Sequence, residues 1–399
     1  MSQRVMLDGN GAASQALMLA DIKVVSAYPI TPQSPIAEGL ATYSADGRLK
    51  AKYIRVESEH TALSCAIGAQ LTGVRAGTAT SSVGLALMYE ILNVASGLRI
   101  PIVMPVVNRA FVAPWSLWCD HQDAMSARDT GWLQLYAQNA QEVLDLCLIA
   151  YKVAEDERVL LPCMVCMDGF FVSHAIEPVI LPNKGEADAF LPPYEPKNLL
   201  LDVDNPYFIN NLTPPAEYAE MKYQMRKGMD ASHAVLIEAF ADYEKKMGRR
   251  YDFIESYRCE DAEEIMVVLG SAAGAVRQVV DKLRGQGRNA GMLKITSFRP
   301  FPVEEIRAAL SSAKYVGVID RNSNLGSVWN PVATEIRSAL QGKTYPKIVD
   351  YICGLGGRDL TPETVEKAFS LLISAGTGEM EWVDLRADAM DLREVGEDD

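Results

Sequence analysis

Asn108–Trp132, NRAFVAPWSLWCDHQDAMSARDTGW, is the stretch on which the reading of the chain turns. It follows Pro101–Val107 (PIVMPVV), an apolar run with the character of a buried strand. Arg109 then stands just past the strand's carboxyl end, where open α/β sheets hold their ligands. Arg109, Asp120, His121, Asp123, Arg128 and Asp129 share the stretch with three tryptophans. A connection so long and so mixed in chemistry is functional or disordered, and the tryptophans speak against disorder. An ordered loop cross-linked by Arg–Asp pairs is the other reading of the same residues.

On either side of that stretch, residues 1–182 alternate apolar runs with helical patterns. Strands are predicted at Val24–Ala27, Lys52–Val56, Ala76–Thr80, Leu133–Ala137 and Leu160–Met167. Helices are predicted from Ile36, from Glu57 or Glu59 to about Thr72, over Leu85–Ser96 and over Gln141–Glu155. Such alternation implies a parallel sheet covered by helices. The turn Tyr28–Pro35 (YPITPQSP) carries Thr31 and Ser34, either of which can cap the following helix. In Glu57-Ser58-Glu59-His60 the two glutamates lie about 200° apart around a helix, so only one of them can face a given ligand. Ser81-Ser82-Val83-Gly84 is a strand-to-helix turn able to bind an anion or a polar ring, and equally able to serve as an ordinary cap.

Residues 183–260 change character: a Pro-rich half precedes a polar helix near Ala216–Met247, together read as a connector. The βα alternation restarts at residue 261 and runs to about 376, with strands at Ile265–Leu269, Met292–Ile295, Tyr315–Ile319 and Ile348–Ile352. From Glu379 the tail holds nine acids against two arginines and reads as a solvated arm or a partner-contact segment.

Composition narrows the function. The chain has 399 residues, 49% hydrophobic and 23% charged, which suits an ordinary globular protein of about two or three domains. The net charge of −14 without a basic run argues against nucleic-acid or anionic-membrane partners. No stretch reaches the ~18 apolar residues of a membrane span, and the N-terminus has no signal-peptide pattern, so a cytoplasmic location is expected. The seven cysteines are scattered, and Cys163-x-x-Cys166 lies in an apolar strand-like run, where thiols pack as small hydrophobes. The four histidines form no metal-binding pattern, so no metal site is expected in this chain.

Taken together, YPITPQSPIAE (28–38), VESEHTA (56–62), GTATSSVGLALM (77–88), the 108–132 stretch, EDERVLLPCMVCMDGFFVSH (155–174) and SFRPFP (297–302) resemble the alpha subunits of the 2-oxoacid:ferredoxin oxidoreductases, closest to those acting on pyruvate. The resemblance covers roughly residues 1–375. It implies a pyrimidine-type thiamine-diphosphate-binding α/β domain (1–182), the connector (183–260), a transketolase C-terminal-like α/β domain (261–376) and the acidic tail (377–399). It implies CoA-dependent oxidative decarboxylation of pyruvate, with electrons passed to ferredoxin. The cofactor would be shared with a beta subunit carrying the diphosphate, Mg and one 4Fe-4S cluster, and the assembly would include a ferredoxin-like subunit and a gamma subunit. Consistent with that division, the chain has no GDG followed by NN and no cluster-spaced cysteines.

Carried over residue by residue, the resemblance makes Glu59 the carboxylate on the aminopyrimidine N1′, Arg109 the ligand of the substrate carboxylate and Thr31 a hydroxyl donor to the 2-oxoacid. Pro29, Ile30, Ser82 and Val83 complete the expected cofactor contacts. Val83 departs from the family, which often has Gln after Thr-Ser-Ser. Thr31 argues against the oxalate-using relatives, which place an Arg there. Other 2-oxoacids (2-oxobutyrate, 2-oxoglutarate, branched ones), a non-catalytic scaffold and a self-sufficient transketolase-type enzyme are the alternatives.

Overall fold

The computed structural model describes residues 3–197, 201–342, 346–374 and 380–386. Two α/β layers are built from parallel strands. In the first, Lys52–Arg55, Val24–Ala27 and Ala76–Gly77 lie side by side, and a single parallel bridge from Thr80 to Val106 joins them to Val103–Asn108. Cys163–Asp168 and Leu133–Ala137 follow in parallel, and Ser297–Arg299 closes the edge in antiparallel sense. Every residue of Val103–Asn108 and Cys163–Asp168 is buried, because helices cover both faces. One face packs on Gly9–Leu19, Ser34–Ala45 and Ala140–Ala154. The other packs on Glu59–Gln70 and Tyr89–Gly97.

The second layer runs Met380–Trp382, Lys347–Ile352, Tyr315–Asp320, Glu264–Leu269, Ala290–Ile295, Ile254–Tyr257; only the last strand is antiparallel. Helices Ala272–Gly285 and Pro362–Ser374 cover one face, and Val303–Ala309 and Pro331–Leu340 the other. Leu293, Val267 and Ile336 of this layer belong to the same apolar cluster as Leu63, Met104 and Tyr136 of the first. The two layers thus share a core, and Ser297–Arg299 of the second half completes the first half's sheet. A 33-residue helix, Pro215–Met247, packs along Ala140–Ala154 and ends at Gly248 in the left-handed region (φ 70°), as a helix C-terminus favours.

Several elements differ from the sequence expectation. Ala76–Thr80 pairs continuously only at Ala76–Gly77, because residues 78–80 step across to the next part of the sheet. The Leu85–Ser96 helix starts earlier and is broken at Met88, whose ψ of −6° separates Ser82–Leu87 from Tyr89–Gly97. Leu160–Met167 enters the ladder only at Cys163, since Pro162 has no N–H to donate. The acidic tail begins not as a solvated arm but as an edge strand, with Val383 buried and the Asp384 carboxylate accepting from the Gly354 N–H at 2.8 Å. Residues 377–379 and 387–399 of the tail lie outside the described residues. Among the described residues, no helix is long and apolar enough to cross a membrane.

Candidate functional site

Parallel strands that all point one way bring the loops at their carboxyl ends together. Val24–Ala27 delivers Tyr28–Gln33, Lys52–Arg55 delivers Glu57–Glu59, the Thr80 bridge delivers Ser81–Gly84, and Val103–Asn108 delivers Arg109.

Ser58 caps the helix Glu59–Gln70 by accepting from the Thr61 N–H at 3.2 Å. That choice of cap resolves the two glutamates. Glu57 stays outside the helix, exposed and bonded to the Thr61 hydroxyl. Glu59 becomes the first helical residue and is only 7% exposed. Among the described residues its carboxylate has neither a hydrogen bond nor an ion pair. It lies against Gly84, where a Cβ would sit 2.7 Å from Glu59 Oε1 and 2.5 Å from Thr80 Oγ1. The hydroxyls of Thr78, Thr80 and Ser81, on the adjoining loop, are buried without partners among the described residues. Native interiors rarely leave such a set unsatisfied, so this corner suits a polar ligand.

Arg109 is 5% exposed. Its Nη1 donates to the Thr31 carbonyl at 2.8 Å and its Nε to the Ser116 carbonyl at 3.2 Å. Burial lowers its pKa from the ordinary value, opposed by the charge of Asp123. No carboxylate pairs with it among the described residues, so the guanidinium is a buried cation held by neutral acceptors and open to an anion. Thr31 is exposed and, among the described residues, its hydroxyl has no partner. Neither Thr31 nor Ser34 caps the helix Ser34–Ala45; Gln33 occupies the cap position without a side-chain bond, and Pro35 fills the first turn. Pro29 is exposed, and Ile30 and Val83 are half-buried. Ser82 is committed elsewhere: its hydroxyl donates to the Ala110 carbonyl and its N–H to Asp123 Oδ2 at 2.9 Å. The structure therefore joins Thr31 to Arg109 directly and Glu59 to the Ser82–Leu87 helix through Gly84.

Sequence reasoning gave no role to Asp123 or Asp168. Asp123, 1% exposed, gathers the N–H groups of Ser82 and Arg109. Asp168 ends the strand Cys163–Asp168 and binds His121 Nε2 at 2.7 Å, Arg321 Nη1 at 3.0 Å and the Ser271 N–H at 3.0 Å. Burial alone would raise its pKa, but the His121 and Arg321 charges outweigh burial and hold it well below the usual carboxylate range. In the sequence Asp123 stands in the 108–132 stretch, Asp168 directly follows the apolar run ending at Met167, and Arg321 lies just past the run Tyr315–Ile319. Cys119, His121 and Asp168 bring ligand-type atoms within 4.8 Å of one another. Arg321 Nη1 also lies 3.6 Å from Cys119 Sγ, so a guanidinium already supplies the positive charge there. Cys163 and Cys166, three apart on a strand, point to opposite faces; each belongs to a different apolar cluster and burial pushes both thiols well up.

The profile of a family described as pyruvate flavodoxin/ferredoxin oxidoreductase, thiamine diphosphate-binding, matches residues 15–240, and that of pyruvate:ferredoxin oxidoreductase core domain II matches residues 262–365. The chain is 47% identical over 362 residues to pyruvate synthase subunit PorA of Methanothermobacter thermautotrophicus, covering 91% of this chain and 93% of that one. It is 42% identical over 388 residues to ketoisovalerate oxidoreductase subunit VorA of Pyrococcus horikoshii, covering 96% and 98%. Among solved structures, 2-oxoglutarate:ferredoxin oxidoreductase from Magnetococcus marinus superposes with a TM-score of 0.72 at 20% identity, over 92% of this chain and 65% of the length of that one, a likeness of fold.

Proposed function

Because this chain belongs to the pyruvate flavodoxin/ferredoxin oxidoreductase family, we propose that it is the alpha subunit of a pyruvate synthase. Its reaction is the reversible, CoA-dependent oxidative decarboxylation of pyruvate to acetyl-CoA and CO2, with ferredoxin as electron acceptor. The observation that supports this reading is that two buried ionisable groups without a charged partner among the described residues, the Glu59 carboxylate and the Arg109 guanidinium, stand on loops at the carboxyl ends of strands of one sheet.

The residues fit a thiamine pyrimidine. Glu59 would hold the proton at the ring nitrogen N1′, with the apolar Val83 and Ile30 beside the ring and Pro29 at the rim. Ser82 would act through its backbone, since its hydroxyl is engaged. When bound, the cofactor supplies the carbon nucleophile and the electron sink that decarboxylation requires. Arg109 would grip the substrate carboxylate with its fork, which matches a carboxylate in shape as well as in charge. Thr31, whose carbonyl already holds Arg109, would donate its hydroxyl to the 2-oxo group.

The site is half of one. A beta subunit would bring the diphosphate-binding half, Mg and a 4Fe-4S cluster, with ferredoxin-like and gamma subunits completing a cytoplasmic complex. The absence of a GDG…NN pattern and of cluster-spaced cysteines from the sequence supports this division. The segments 1–182, 183–260, 261–376 and 377–399 are the proposed units of the chain. The likeness to a ketoisovalerate enzyme subunit favours branched 2-oxoacids as the second reading.

The deciding experiment expresses the chain alone and with its co-purifying partners, anaerobically. Thiamine diphosphate content is scored with CoA-dependent dye reduction on pyruvate, 2-oxobutyrate, 2-oxoisovalerate, 2-oxoglutarate and oxalate. Pyruvate turnover by the complex, with no cofactor on the lone chain, is expected. Cofactor retained by the lone chain would overturn the shared site, and a complex inert to every acid would leave a scaffold.

A further inference from the structure

We propose that Asp123 is a positioning residue that sets the spacing between the substrate-binding arginine and the cofactor-facing turn. The proposal rests on the functional reading above and adds to it a residue that touches neither ligand.

Asp123 lies in the short helix Gln122–Ser126, inside the loop that follows Val103–Asn108. Its Oδ2 accepts the N–H of Ser82 at 2.9 Å and that of Arg109 at 3.0 Å. Its Oδ1 accepts from Asn108 Nδ2 at 2.8 Å and from the Ala124 N–H at 2.7 Å. One carboxylate oxygen therefore ties together two loops from adjacent strand ends. One of these loops leads into the helix whose Gly84 abuts Glu59; the other presents Arg109. The tie is under load, because Ser82 is a non-glycine residue with φ of +50°, a conformation that the surroundings must hold. Burial raises the pKa of Asp123, while its four hydrogen bonds oppose that rise. The four donors also explain why a carboxylate serves here: each oxygen can accept from two donors, and an amide offers one such oxygen.

The substitution series follows from that count. Asp123→Asn keeps an oxygen for the Ser82 and Arg109 N–H groups if its amide turns toward Asn108, whose Oδ1 is buried without a partner among the described residues. Asp123→Ala releases both loops. A misplacement on the order of 1 Å at a reacting centre costs about a hundredfold in rate. In the assembled complex, Asp123→Ala is expected to lower kcat/KM for pyruvate about a hundredfold and to raise KM. Asp123→Asn should recover most of that loss, with cofactor content unchanged.

The test combines these variants with Arg109→Ala in a double-mutant cycle, normalised to bound thiamine diphosphate. If Asp123 acts through Arg109, removing Arg109 first should erase most of the effect of Asp123→Ala on KM. Equal effects in both backgrounds, or losses that vanish once normalised to cofactor content, would overturn the proposal. If the alanine variant does not assemble, Asp123→Ser, whose shorter side chain gives up the Ser82 and Arg109 N–H groups, decides: a KM raised several-fold over that of Asp123→Asn supports positioning, and kcat and KM equal to those of Asp123→Asn sink it. Wild-type turnover of pyruvate separately tests the functional reading, and the variant ratios are taken on whichever 2-oxoacid the complex consumes. A complex inert to all of them removes both.

Discussion

Asp168, at the end of a strand in the first sheet, and Arg321, just past the end of a strand in the second, form an ion pair of 3.0 Å with both side chains buried. The same carboxylate holds His121 and Ser271, and the His121 N–H donates to the Arg321 carbonyl at 2.8 Å. Gly357 of the second half donates its N–H to the Cys119 carbonyl at 2.8 Å. The Asn108–Trp132 loop is therefore clasped between the two halves of the chain, and the surroundings of Arg109 depend on that clasp.

Asp168→Asn should accordingly destabilise the chain by about 3–5 kcal/mol, because it leaves the Arg321 cation buried without its counter-charge. The depressed pKa of Asp168 fixes the sign of the pH effect. Its contribution is fully present above the unfolded carboxylate value of about 4 and is lost as pH falls toward the lower folded value. Urea unfolding from pH 7 down to pH 3 is the measurement. The gap between wild type and variant should be constant near neutrality and narrow in acid; a gap that widened in acid would contradict the assignment.

The second sheet carries the opposite arrangement. Asp320 and Asp350 lie on adjacent parallel strands, and the charge of Asp350 adds to burial in raising Asp320. Burial comes first among the causes and pushes Asp350 up to about 6 and Asp320 well above its ordinary value. Only one oxygen of each is bonded, Asp320 Oδ2 to the Ala333 N–H and Asp350 Oδ2 to Asn330. For raised acids the stabilisation is full below about pH 4 and is lost as pH climbs through the folded values. Asp320→Asn should therefore leave stability near pH 4 unchanged and increase it by about 1–3 kcal/mol at pH 8. Thermal denaturation at the two pH values checks this, and equal shifts at both would contradict a raised Asp320 carboxyl.

The parallel core strands could be read from sequence because both of their faces are buried, which leaves uninterrupted apolar runs such as PIVMPVV and LLPCMVCM. Arg109 and Glu59 were findable as polar residues at the carboxyl ends of such runs, and the family resemblance gave them roles. The local pattern alone did not show Ser58 as the cap, which leaves Glu57 outside the helix and Glu59 as its first residue, since either start satisfies it. Ser297–Arg299 was hidden because a three-residue strand carries no periodicity. Arg321 lies 153 positions from Asp168, and no local rule joins residues that far apart. Asp123 stood in the decisive stretch all along; three of its four donors are backbone N–H groups, which no side-chain motif announces.

Gly84→Ala tests the packing around Glu59. Gly84 lies within the helix Ser82–Leu87, so alanine suits its backbone and the cost is purely one of contact. The new Cβ would fall within 3 Å of Glu59 Oε1, Glu59 Cγ and Thr80 Oγ1. Overpacking of this kind costs about 1–3 kcal/mol, or displaces the softer neighbour. Among the described residues no hydrogen bond holds the Glu59 carboxylate, so it is the group expected to move. The complex should fold and assemble yet retain less thiamine diphosphate, measured by its release on denaturation. Wild-type cofactor content at wild-type affinity would show that Glu59 does not face the pyrimidine.

Glu59→Gln and Arg109→Lys separate the two charges of the site. The glutamine keeps size and hydrogen-bonding capacity but cannot hold a mobile proton, so the complex should bind pyruvate normally and lose about 10²–10⁴-fold in kcat. The lysine keeps the charge but lacks the planar fork, and its shorter reach gives up the 2.8 Å bond to the Thr31 carbonyl. Its effect should fall first on KM, with kcat lowered only as far as Arg109 also orients the oxoacid. Steady-state kinetics on both variants distinguish the roles: a kcat defect in the glutamine variant beside a KM defect in the lysine variant is the expected pattern. The reverse pattern would exchange the two assignments, and two wild-type profiles would move the chemistry away from this edge of the sheet.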